Sequence, residues 1–150
     1  MHPAIRWSAA IFLVALVGAQ AVRPARTNPP SHAGASLLTK APADVTRILE
    51  RSCRDCHSNE TRWPWYSQVA PMSWLLIDHV NHGREHFNYS EWPTYSEDDQ
   101  DKLLGSMCSL VKKGRMPLPS YLFLHRDAQL SAADIAAICS WSDKMRDTLQ

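Results

Sequence analysis

Apolar side chains recur at helical intervals along most of this chain, and nowhere do they alternate with polar ones over the length a strand needs. Val45, Ile48, Leu49 and Ser52 share one face, which predicts a short helix over residues 43–53. Pro71 stands where a first helical turn tolerates it. Trp74, Leu75, Ile77 and Asp78 then carry a second helix on to Gly83, a residue suited to end it. Ser96, with Asp99 three residues on, reads as the N-cap of a third helix. Its apolar stripe is Leu103, Leu104, Met107, Leu110 and Val111, its basic end Lys112 and Lys113, its stop Gly114. Ser131 and Asp134 repeat the cap, after which Ile135, Ile138, Cys139, Ser142 and Met145 define a last helix reaching Leu149. The expected fold class is therefore all-α, about four helices joined by Trp- and Pro-containing loops. There are no internal repeats.

The two remaining stretches differ in kind. Residues 7–22 are almost continuously apolar, with only Ser8 and Gln20 polar and Arg6 just before them. These 16 residues reach roughly 24 Å as a helix, short of the ~30 Å hydrocarbon core of a bilayer. Ala19-Gln20-Ala21 offers the small-x-small pattern of a signal-peptidase site. Residues 1–22 are thus read as a signal peptide or a membrane anchor, and either delivers the rest of the chain across the cytoplasmic membrane. Residues 23–42 hold four of the ten prolines, with Ser, Thr and Asn between, and read as a flexible, extended tether. The domain proper is expected over residues 43–150.

Composition narrows the function. At 150 residues the chain accommodates one modest domain, and 45% hydrophobic residues with six Trp provide for a packed core. The 16 Lys+Arg against 15 Asp+Glu leave no basic excess that would attract a nucleic acid. No acid/base pair, nucleophile arrangement or phosphate loop stands out.

The informative string is Cys53-Arg54-Asp55-Cys56-His57. Cys-x-x-Cys-His is the pattern of covalent c-type haem attachment: two thiols reach two vinyl groups on one porphyrin edge, and the next residue brings an imidazole to the iron. With the chain's own four Cys and seven His, chance would produce it roughly once in 200 such sequences. Three rivals are weaker. Structural zinc needs a second ligand pair, whereas Cys108 and Cys139 stand alone. A thioredoxin-like dithiol needs a preceding strand, and a plain disulfide across so short a loop is geometrically awkward.

For the sixth iron position Met116 leads, because Pro117 holds it out of helical geometry in a loop between two predicted helices. A thioether ligand raises the potential relative to a second imidazole. Met72 is its rival, while Met107 and Met145 fall on apolar stripes and read as packing. The imidazole candidates are His79, His82, His86 and His125.

The run Arg51-Ser52-Cys53-Arg54-Asp55-Cys56-His57-Ser58-Asn59-Glu60-Thr61-Arg62-Trp63-Pro64-Trp65-Tyr66 extends the motif far beyond the haem pattern. Ala70-Pro71-Met72-Ser73-Trp74, Gly83-Arg84-Glu85-His86, Ser90-Glu91-Trp92 and Met116-Pro117-Leu118-Pro119-Ser120-Tyr121 lie downstream of it. Together they resemble the bacterial haem-binding domain family of small exported cytochrome c-like proteins, over about residues 20–145. The resemblance implies a cytochrome c-like helical fold, one covalent haem c on Cys53 and Cys56, and His57 as axial ligand. Met116 as distal ligand rests on similarity to the Met-Pro loop of class I cytochromes.

Further expectations concern the surroundings. Trp63, Trp65 and Tyr66 are candidates to wall the porphyrin, Arg62 and Arg84 to meet a propionate, and Trp141 to pack between terminal helices. Cys108 and Cys139 are read as two buried free thiols in preference to a disulfide, since both fall near apolar stripes. The expected function is one-electron transfer, rather than enzymatic catalysis, by a periplasmic or membrane-tethered monohaem protein with redox-protein partners. The alternatives are an open-site haem protein, peroxidase or gas sensor, and an accessory electron-transfer subunit of an exported oxidoreductase.

Overall fold

The computed structural model describes residues 3–31 and 34–149, so that Met1 and His2 of the leader, His32 and Ala33 of the tether, and the terminal Gln150 lie outside the described residues. The described residues form α-helices and 3-10 turns and no strand. The α-helices are α1 (Pro3–Ala19), α2 (Ala43–Ser52), α3 (Arg54–His57), α4 (Met72–His86), α5 (Glu97–Lys112), α6 (Pro119–Leu122) and α7 (Ala132–Asp147).

The caps read from sequence are where the residues placed them. The Ser96 side chain accepts from the Asp99 N–H at 3.2 Å, and Glu97, Asp98 and Asp99 fill the first turn of α5. Ser131 and Asp134 make a reciprocal capping box on α7. Beyond α5, Gly114 adopts φ +62, a conformation costly for a residue with a Cβ. One reading differs. Gly83 does not end α4, which continues to His86.

The main core joins α2, α5 and α7, with Leu37, Leu49, Leu104 and Ile138 fully buried, and Phe87, Tyr89 and Trp92 closing its edge. Trp141 is buried in it, as its helix position suggested. Cys108 and Cys139 form a disulfide, which corrects the reading of two free thiols. The apolar stripes that hold them pack on each other, bringing the two Cα atoms to 4.9 Å, within bridging range. Arg146 pairs with Asp101 at 2.8 Å on the same two helices, and Arg51 at the end of α2 reaches Asp134 in the first turn of α7 at 3.2 Å. A second, smaller cluster of Tyr66, Leu76 and Val80 packs beneath α4.

The Pro-rich segment is irregular up to residue 31 and forms a 3-10 turn over Leu37–Lys40, and it is hydrogen-bonded along the body. Arg26 reaches Ser67, Asn28 donates to the Thr61 carbonyl, and Leu37 is buried in the core. The α1 helix is exposed on every side, including Trp7, Phe12 and Val14. No helix among the described residues is long and apolar enough to cross a membrane.

Candidate functional site

The amphipathic α2 ends at Ser52, and at Cys53 the backbone leaves helical geometry (φ −132, ψ −36) before one further turn, α3, carries Cys56 and His57. The Cys53 carbonyl closes that turn by accepting from the Cys56 and His57 N–H groups. Two cysteines and a histidine are thereby fanned around a single turn. Neither thiol is in a disulfide. Burial pushes the Cys53 thiol up to about 12 and the Cys56 thiol up to about 11, so both are protonated at neutral pH.

His57 is held from both sides. Its Nδ1 lies 2.8 Å from the Phe87 carbonyl oxygen, which can only accept, so Nδ1 carries the proton and Nε2 is left with its lone pair. The ring stacks on Tyr89, with centroids 5.8 Å apart and planes 21° apart. Burial lowers its pKa and favours the neutral imidazole that a metal requires.

These three side chains open on one cavity of about 660 Å³, a size typical of cofactor sites. Its walls are mainly apolar: Leu75 and Leu76 from α4, Leu103, Met107, Leu110 and Val111 from α5, and Leu118 and Leu124 after it. Met116 enters the same cavity, half-buried, from the loop after α5. The rival thioether Met72 also lines it, as do Met107, read as packing, and His79, His82 and His86. His125 does not; its ring stacks on Tyr121 at 4.0 Å and its Nε2 meets the Tyr66 hydroxyl at 3.2 Å. Met145 packs against the main core instead.

A dense polar lock behind the cavity holds the attachment turn. Arg84 donates to the carbonyls of Ser58 and Thr27 and to the side-chain oxygens of Asn28 and Thr61, at 2.8–3.1 Å. Asn59 binds Asn88, Glu91 and the Pro30 carbonyl, and its own N–H donates to Ser90. Arg62 pairs with Asp55 at 3.2 Å. Neither arginine lines the cavity, so both are corrected from propionate partners to braces of the turn. Of the three aromatics after the motif only Tyr66 walls the cavity, Trp65 being 77% exposed.

Gly83 was read for the wrong property. A Cβ there would lie 2.5 Å from the Cys56 carbonyl oxygen, so the glycine lets α4 pass directly over the attachment turn. Gly83→Ala is expected to push the two apart, costing about 1–3 kcal/mol. Thermal unfolding of the holoprotein would show it, with a lower haem-to-protein absorbance ratio.

The donor set points to a metal that arrives with ligands of its own. Among the described residues no three His, Cys, Asp or Glu side chains are grouped to hold a bare ion, and the disulfide takes the two cysteines a zinc site would need. One imidazole nitrogen, two thiols and a mainly apolar cavity of about 660 Å³ fit a metalloporphyrin. The family model of the haem-binding domain matches residues 14–144. The chain belongs to the haem-binding domain family. No match was found among curated proteins or among solved structures. Haem binding explains why a haem-binding domain of this size leaves an apolar cavity beside its one Cys-x-x-Cys-His turn.

Proposed function

We propose that this haem-binding protein is a c-type, one-electron carrier of an exported compartment. In this reading Cys53 and Cys56 form thioethers to one haem, His57 binds the iron through Nε2, and Met116 is the distal ligand. The observation that carries the reading is the convergence of two unpaired thiols, a free imidazole nitrogen and a thioether on one apolar cavity. Haem supplies an iron that gains and loses one electron. The Phe87 carbonyl and the Tyr89 face keep the His57 ring from rotating. The apolar side chains from α4 and α5 give the haem a low-dielectric surface to pack on. The Cys108–Cys139 disulfide supports a periplasmic or otherwise extracytoplasmic location, since such bonds persist in oxidising compartments.

Met116→Ala tests the distal assignment. The ferric protein should lose the weak far-red sulfur-to-iron band and pass to a high-spin or water-ligated spectrum, with a lower reduction potential. An unchanged spectrum would remove Met116 from the iron.

His79, His82 and His86 on the same cavity favour one further reading, an open sixth position used by a small peroxidase or gas sensor. A high-spin spectrum in the unaltered protein would select it. Redox-protein partners, or a larger exported oxidoreductase that it serves as a subunit, belong to the carrier reading.

A further inference from the structure

The end of the N-terminal apolar stretch meets the body beside the start of α4, whose Met72 and Leu75 line the cavity. Gln20, one of the two polar residues in the apolar stretch, clasps the backbone of Ala70: its Oε1 accepts from the Ala70 N–H at 3.0 Å and its Nε2 donates to the Ala70 carbonyl at 3.2 Å. Ala70 is buried, so Gln20 supplies partners that water cannot. Two residues on, the Val22 carbonyl accepts from the Trp74 indole N–H at 2.9 Å. Cleavage after Ala21 would remove the Gln20 clasp from a finished fold. Beside it lie the exposed apolar side chains Trp65 (77%), Val69 (44%), Met72 (40%) and Leu75 (44%), the last two also lining the cavity.

The helix held at this place has no polar face. Ile5, Trp7, Ile11, Phe12, Leu13, Val14 and Val17 are all more than half exposed and are distributed around its whole circumference. A docked protein would cover one side of such a helix, whereas lipid covers all of it. At its base, Arg23 and Arg26 line a crevice of about 190 Å³ with Ser67 and Gln68. Its 17 residues give about 25 Å, a length that lipid accommodates by local thinning.

We propose that α1 is retained in the mature protein and embedded in lipid, and that the clasp seats the exposed apolar side chains Trp65, Val69, Met72 and Leu75, the last two of which line the cavity, on the bilayer surface. The Met72 and Leu75 wall of the cavity then lies next to the membrane, with Trp65 and Trp74 at headgroup level. This placement deepens the extracytoplasmic location proposed for the carrier and rests on it.

The test uses full-length holoprotein in phosphatidylcholine–phosphatidylglycerol vesicles that contain a diazirine-bearing lipid. After illumination, adducts are mapped by mass spectrometry. They are expected on α1 and on the peptide spanning residues 65–75. The Gln20→Ala, Trp74→Phe double variant should lose the 65–75 adducts several-fold and keep those on α1, with its haem absorption unchanged. Adducts confined to α1 in the unaltered protein, unchanged 65–75 adducts in the variant, or a mature chain beginning at Val22 would each overturn the proposal. Haem absorption of the same vesicles reports separately on the carrier reading. If the double variant does not fold, the adduct map of the unaltered protein decides alone.

Discussion

Alanine at both Cys53 and Cys56 is expected to abolish the covalent attachment proposed for the haem: after denaturation in acid and organic solvent, all haem should leave the protein. Each single variant keeps one thioether, and its pyridine haemochrome shifts toward that of haem with one free vinyl group. The loss in the double variant should be complete because no other thiol can take over. Cys108 and Cys139 are spent on each other across α5 and α7, and no further cysteine exists in the chain. Retention of His57 and its Phe87 hydrogen bond should let the double variant still hold haem loosely, as a dissociable complex. Haem extraction into butanone measures the difference directly.

The second large effect is on stability. Replacing Cys108 and Cys139 by alanine opens a loop closed over 31 residues and should cost about 3–4 kcal/mol. The consequence extends to the site, because α5 contributes Leu103, Met107, Leu110 and Val111 to the cavity and leads into the Met116 loop. Denaturant titration of the holoprotein should show a lower midpoint, and on the proposed ligation partial unfolding should cost the methionine-ligand spectrum before it releases the haem. Equal midpoints for variant and unaltered protein would mean that helix packing alone holds α5 on α7.

Features encoded in a few neighbouring residues were legible. The Ser96 and Ser131 caps work through side chains three residues from their partners, and the Cys-x-x-Cys-His spacing names its chemistry within five residues. Features that depend on distant segments were not. Gly83 has the same local signature whether it ends a helix or admits the Cys56 backbone, and only the packing of α4 over α3 distinguishes the two. Arg84 offers a cation that would suit a propionate, yet its partners at Ser58, Thr27, Asn28 and Thr61 lie 23–57 residues away. The two lone cysteines sat on apolar stripes, which implied burial but not that the stripes face each other. Two cysteines left over from the Cys-x-x-Cys-His pattern are the signal that favours a bridge, provided that the chain is exported. Leu37 lies in a Pro- and Ser-rich stretch with no periodicity, so nothing local marked it as core.

The pyridine haemochrome of unaltered protein, matured in a host with cytochrome c assembly machinery and then denatured, is the most direct test of the central claim. Two thioethers predict an α band at the position of haem with both vinyl groups saturated, and a haem stain that stays with the polypeptide on a denaturing gel. A band at the position of unmodified protohaem, with haem running free at the gel front, would contradict attachment through Cys53 and Cys56.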